Sequence, residues 1–212
     1  MSIFVIADLH LSFKNPKPMD IFGDNWTKHE EKIKKDWNEK VKEEDLVVLP
    51  GDFSWATYIE DTIPDFEYLN SLPGKKIMLK GNHDYWWSSL SKINAVYESD
   101  DMNFIQNGYF TYGDYAICGS RGWLCPNEVK FDSNDMKIYR REVLRLEMSI
   151  QSAIQNGCNN IIVITHYPPT NDQLEESEFT KLYEKYNVKR GLRNKDGTGV
   201  LVGLTKIGEV RG

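Results

Sequence analysis

Four short apolar runs in this chain stop abruptly at polar residues, and this repeated pattern constrains the fold more than any other feature. IFVIA (3–7) runs into Asp8-Leu9-His10. DLVVLP (45–50) runs into Gly51-Asp52, and KIMLK (76–80) into Gly81-Asn82-His83-Asp84. IIVIT (161–165) runs into His166-Tyr167-Pro168-Pro169. Each run is too short for a buried helix and is built mainly from β-branched and long aliphatic residues, so each reads as a buried strand. Helical periodicity fills the intervals. Thr27 and Glu30 have the spacing of a capping box ahead of Ile33, Trp37 and Val41, which share one helix face. Further helices are expected near 65–72, over 88–98, over 135–156 and near 175–186. The long one places Ile138, Val143, Leu146, Ile150 and Ile154 at apolar positions and stops at Gly157. Asn107-Gly108, inside the aromatic stretch 103–117, predicts a hairpin turn. VLVGL (200–204) adds one more strand-like run. Strands alternating with helices, with a hairpin between the halves, predict an α/β sandwich with mixed sheets in a single domain, 1–212.

Composition excludes several classes. No apolar run approaches the ~18 residues of a membrane span, and the first ten residues lack the basic and apolar regions of a signal peptide. A cytoplasmic protein without a membrane partner is expected. The net charge of −6 argues against a broad nucleic-acid-binding face, and KRGLRNK (189–195) reads as a solvated run. Cys118, Cys125 and Cys158 match no zinc or redox spacing and read as reduced packing residues. His29 falls within the first amphipathic helix and reads as a surface residue.

The other three of the four histidines stand directly after strands. In open α/β sheets, ligands bind outside the carboxyl ends of the strands. Asp8, His10, Asp52, Asn82, His83, Asp84 and His166 all fall at such ends. Carboxylates and imidazoles that converge on one sheet edge are costly to bury without a cation. Carboxylate, imidazole and amide donors without a thiolate suit Mn, Fe or Zn, admit Mg, and exclude Cu(I) and iron–sulfur clusters. An Asp on the central loop can bridge two ions at about 3.5–4 Å.

In order and spacing, DLH (8–10), GDFSW (51–55), GNHD (81–84) and THYPP (165–169) resemble the calcineurin-like metallophosphoesterase family, over about residues 3–188. GNHDYWW and SRGW (120–123) are similar to a group of small bacterial phosphohydrolases within it. The resemblance implies a four-layer α/β/β/α sandwich, two divalent metal ions, and hydrolysis of a small phosphomonoester or phosphodiester, nucleotides included. Asp8 and His10 would bind the first ion, Asp52 would bridge, and Asn82 and His166 would bind the second. A hydroxide formed on the metal would be the nucleophile. His83 would contact the phosphate and protonate the leaving oxygen, with Asp84 orienting it; Asp84 alone also fits an N-cap for the helix over 88–98. Arg121 and Trp55 are candidate substrate-binding residues. The plainer alternatives are a salt bridge for Arg121 and loop packing for Trp55, Trp86 and Trp87.

The family pattern ends with Gly-His-x-His after one more strand. Here no histidine follows His166, and residues 189–212 turn Gly-, Lys- and Arg-rich. On this reading the strand after Val188 is lost. Each ion keeps three protein ligands with Asp52 shared, so metal affinity and activity should be impaired. A break this abrupt fits a change of reading frame or a truncation. The second reading is a catalytically inactive metal- or phosphate-binding scaffold on the same fold.

Overall fold

The first three apolar runs form neighbouring parallel strands, β1 (Ser2–Val5), β2 (Leu46–Leu49) and β3 (Lys75–Met78), with Val5 opposite Val48 and Val48 opposite Ile77. This is seen in a computed structural model that describes residues 1–127, 130–193 and 204–209. A fourth strand, β4 (Met102–Phe104), runs parallel to β3. Helices α1 (His29–Lys40), α2 (Ile63–Asn70) and α3 (Leu90–Val96) bury Ile33 and Trp37, Phe66 and Leu69, and Ile93 in the core that also holds Phe4, Ile6, Val47, Leu49 and Met78. The buried indole N–H of Trp37 is satisfied by the carbonyl of Pro73 at 2.9 Å. These elements belong to one compact unit, Met1–Phe104 with residues 204–209.

The second unit begins at Ile105 and is built on the fourth apolar run. It contains β5 (Tyr109–Tyr112), β6 (Tyr115–Ser120), α4 (Ser133–Gln155), β7 (Ile161–Thr165), α5 (Glu178–Lys185) and β8 (Arg190–Arg193). The sheet order is β5-β6-β7-β8; β5–β6 is antiparallel and the other two pairs are parallel. α4 starts in a capping box formed by Asp132 and Asp135 and buries Tyr139, Leu146, Ile150 and Ala153 against Ala116, Cys118, Val163 and Phe179. The chain then supplies β9 (Thr205–Glu209), antiparallel to β1, so the first sheet reads β4-β3-β2-β1-β9.

The expected α/β class with mixed sheets is what forms. The three cysteines are free and buried or half-buried, as packing residues should be. Among the described residues no helix is long and apolar enough to cross a membrane.

Three local expectations are corrected. Asn107-Gly108 is not the hairpin turn. Residues 102–104 are drawn into parallel pairing with β3, so Asn107, at φ 61°, lies in the link between β4 and β5. The tight turn is Gly113-Asp114, with Tyr112 opposite Tyr115. Thr27 does not cap α1, because its N–H closes a 3₁₀ turn on Asp24 and Lys28, at φ 52°, stands before the helix without a side-chain cap. A strand does follow Val188: β8 pairs parallel to β7, with Ile162 opposite Arg190. Of the strand-like run 200–204, residues 200–203 lie outside the described residues, as do 194 and 195 of the basic run.

Candidate metal centre

Past β1 the chain keeps a period of two: Leu9 and Leu11 are buried in the hydrophobic core, while Asp8 and His10 point away from it into a polar cluster. The loop after β2 runs alongside. The N–H groups of Asp8, His10 and Leu11 donate to the carbonyls of Gly51, Asp52 and Phe53 at 3.1, 3.0 and 2.9 Å. The two strand ends are thus zipped beyond the sheet, with Phe53 buried like the leucines.

Asp84 ties in the loop after β3. Its carboxylate is fully buried and accepts from five donors. These are the backbone N–H groups of Asp52 (2.8 Å), Phe53 (2.9 Å), Ser54 (3.3 Å) and Gly81 (2.7 Å), and the Trp86 indole N–H (3.1 Å). Burial pushes its pKa up while the backbone donors pull it down. With only donors around it, the ionised form is the one these bonds fit. For Asp84 the N-cap alternative is corrected. It does not cap α3, where Ser89 accepts from the Lys92 N–H. Nor do the bonds of its carboxylate include the imidazole; it supports His83 through the backbone of the loop, because five nearer donors take up its oxygens.

What these loops bring together is Asp8, His10 and Asp52, all buried, each offering a ligand atom within 4.8 Å of the others. His10 Nε2 lies 3.9 Å from Asp8 Oδ1 and 3.8 Å from Asp52 Oδ2. The three residues have φ of 55°, 45° and 54°, a left-handed conformation that non-glycine residues rarely adopt. Such strain persists only where surroundings over-determine it, and it clusters at functional sites. The other Asp52 oxygen, Oδ1, accepts from the His83 N–H at 2.8 Å. Burial first, then the carboxylates of Asp84 and Asp8, push the Asp52 pKa up to about 8, against backbone N–H groups of His83 and Asn82 that pull it down. A carboxyl in that state holds a proton at neutral pH unless a cation replaces it. Two carboxylates and an imidazole, buried and strained around one point, fit a divalent ion.

A pH dependence follows. In the unfolded chain Asp52 ionises near its ordinary value of 3.8; in the folded metal-free chain it keeps its proton to about 8. Between those values the folded state binds more protons, so stability is full below the lower value and falls as pH rises toward the upper one. Asp65, raised mainly by burial, acts in the same direction. The Tm of chelator-treated protein should therefore fall from about pH 5 to about pH 8. The stabilisation on adding Mn²⁺ should grow over the same range, because binding displaces the proton. Thermal unfolding at three pH values with and without Mn²⁺ checks both slopes.

Gly81 is needed for closeness. A Cβ there would overlap the Asp52 carboxylate and backbone nitrogen, and a Cβ on Gly51 would come within 2.5 Å of the Gly81 backbone. Gly81→Ala should displace the Asp52 carboxylate, weakening Mn²⁺ binding at least tenfold and destabilising the protein by about 2 kcal/mol. Calorimetric titration and thermal unfolding measure the two effects.

Around the cluster, Trp55 stacks on His10 (4.7 Å between centroids, 20° between planes) and lies 4.8 Å from His83. Its indole N–H donates to the sulfur of Met19 at 3.1 Å. His83 is half-buried and its Nδ1 makes no protein hydrogen bond. Its pKa is lowered, chiefly by burial, with the Lys17 charge acting the same way and Asp84 opposing. Asn82 stands between Gly81 and His83 on the same loop. Trp86 and Trp87 are buried in the core, which is the packing alternative.

The sequence reading missed two supports. His29 is no simple surface residue: its Nε2 lies 2.9 Å from the Leu9 carbonyl, between the two candidate ligands of the first loop. Buried Asp65 accepts from the Phe13 N–H at 2.9 Å and from the hydroxyl of buried Ser54. Neither contact leaves a local signal, since both join residues far apart in the chain.

The remaining candidates belong to the second unit. His166 follows β7, is buried, and donates its N–H to the Arg121 carbonyl at 3.0 Å. The Arg121 guanidinium lies 3.6 Å from buried Glu142 and 4.4 Å over the Trp123 ring, so the ion-pair alternative describes its contacts.

A family model described as calcineurin-like phosphoesterase matches residues 1–193. Among solved structures, TT1561 of Thermus thermophilus aligns with a TM-score of 0.61 at 12% identity, covering 97% of this chain and 87% of that one. A protein of unknown function from Aquifex aeolicus, AQ665, aligns at 0.48 and 19% identity, over 91% and 88%. At such identity the first likeness bears on fold alone. The comparison with curated proteins gave no match.

Proposed function

The chain belongs to the calcineurin-like phosphoesterase family, and on that premise we propose that it hydrolyses small phosphoesters at a centre of two divalent metal ions, with Mn²⁺ a competent metal. The observation that carries this reading is the buried, strained Asp8–His10–Asp52 cluster. Asp8 and His10 would hold one ion. Asp52 would reach both, and Asn82 would serve the second. His166 is carried by the second unit, and its part in metal binding rests on the motif. A divalent cation held there supplies Lewis acidity, lowering the pKa of water and offsetting charge on the phosphate.

The chain's own groups do the rest. Asp84 fixes the loop that carries Asn82 and His83 by gripping the backbone on both sides of the site. Trp55 holds the His10 ring flat and shields it from water. His83, edge-on to His10 at 5.8 Å, would contact the phosphate and, when protonated, pass that proton to the leaving oxygen.

The test is hydrolysis of 4-nitrophenyl phosphate and bis(4-nitrophenyl) phosphate by Mn²⁺-loaded protein, with His83→Ala as control. Turnover that needs metal and falls about 10²- to 10⁴-fold in the variant supports the mechanism. Turnover indifferent to both would rule it out. The loss of Gly-His-x-His favours the second reading, a binding scaffold, which requires Mn²⁺ to bind with no hydrolysis of either ester.

A further inference from the structure

Beside the cluster lies a cation with no carboxylate partner among the described residues. Lys17 holds its ammonium 4.6 Å over the centroid of the Trp55 ring, the same ring that stacks on His10 and neighbours His83. Nearby Lys14, by contrast, is paired with Asp61 at 2.7 Å. The backbone that carries Lys17 is held from several sides. Pro16 and Pro18 flank it with fixed φ. Its own N–H donates to the Ser12 hydroxyl at 3.0 Å, and buried Met19 accepts the Trp55 indole N–H. A chain that merely crossed the surface would not need this fixing. The side chain also borders a cavity of about 320 Å³ shared with Met19, Trp26 and Lys28, so it has room to leave the indole face.

Resting on the phosphoesterase reading, we propose that Lys17 is a substrate-binding residue of this centre, its ammonium taking a peripheral oxygen of the phosphate and favouring the doubly charged phosphate of a monoester. An ammonium resting on the half-buried Trp55 indole gives up a cation–π contact, and a charge-assisted bond to phosphate is stronger, so the exchange is favourable. Near neutral pH a monoester phosphate carries close to two charges and a diester one, so the same cation discriminates between them. The surrounding Asp8, Asp52 and Asp84 carboxylates make an added positive charge useful to either anion and more useful to the dianion.

The experiment compares wild type, Lys17→Ala and Lys17→Arg, all Mn²⁺-loaded, on 4-nitrophenyl phosphate and bis(4-nitrophenyl) phosphate. Lys17→Ala should lower kcat/KM for the monoester about tenfold and for the diester about threefold or less, with Lys17→Arg restoring most of the loss. Equal losses on both esters, no loss, or a loss that Arg does not restore overturns the proposal while leaving the phosphoesterase reading standing. If wild type cleaves neither ester, that reading fails. Calorimetric binding of inorganic phosphate to the Mn²⁺-loaded proteins then decides the proposal alone. Weaker binding by Lys17→Ala than by wild type upholds it; equal binding, or none, overturns it.

Discussion

Asp52→Asn should abolish metal-dependent hydrolysis and, at pH 8, leave the metal-free protein more stable than wild type. Both effects come from one carboxylate. Asp52 is buried between Asp8 and Asp84, and its pKa is pushed up to about 8, so without a cation its ionised form is the unfavourable one. An amide of the same shape keeps an acceptor for the His83 N–H and removes the repulsion. A gain of about 1–2 kcal/mol is expected at pH 8, read as a Tm higher by roughly 2–8 °C. The gain should vanish at pH 5, where the wild-type carboxyl is protonated. The amide lacks the charge that holds the cation, and as the residue proposed to reach both ions its loss should reduce kcat about a thousandfold or more. A variant that is less stable than wild type at pH 8 yet still active would mean that Asp52 is a structural residue.

The second large effect belongs to Asp84, with the opposite sign on stability. Its carboxylate satisfies four backbone N–H groups and an indole N–H in a fully buried place. Asp84→Asn turns an –NH₂ toward N–H groups that need an acceptor, leaving at least two donors unsatisfied. A loss of about 3 kcal/mol is expected, a Tm lower by roughly 6–12 °C. Because those N–H groups fix Asp52 and Gly81, Mn²⁺ binding should weaken as well. Mn²⁺ should therefore stabilise the variant less than it stabilises wild type. The opposite signs of the two substitutions on metal-free stability distinguish a metal ligand from a structural anchor, which residue type alone does not do.

The strand ends were legible because burial leaves a plain mark. A short apolar run that stops at Asp or His is a strand delivering a side chain, and β1, β2, β3 and β7 all behave so. The alternation Asp8-Leu9-His10-Leu11 separates site from core in four residues. What stayed hidden is carried by contacts between distant residues. The Phe13–Asp65 bond spans 52 residues, and neither end announces it. His29 looked like one polar position on a helix face, and only the folded loop brings Leu9 to it. Asn107-Gly108 misled because local turn preference lost to the pairing of β4 with β3. β8 was missed since Arg190, Gly191 and Arg193 do not read as a buried strand, yet β7 offers them an edge. Asp84 was placed in the site by its motif, but three of its five donors come from residues 52–54, about thirty positions away, which no spacing reveals.

We propose this chain as a metal-dependent phosphoesterase whose first ion is held by Asp8, His10 and Asp52. The most direct test is elemental analysis of wild type and Asp52→Asn after dialysis against Mn²⁺, alongside phosphoester hydrolysis by the same samples. At least one Mn²⁺ per wild-type chain is expected, with loss of that ion in the variant and hydrolysis that disappears with it. Equal metal content in both proteins, or hydrolysis that persists in the metal-free variant, would contradict it.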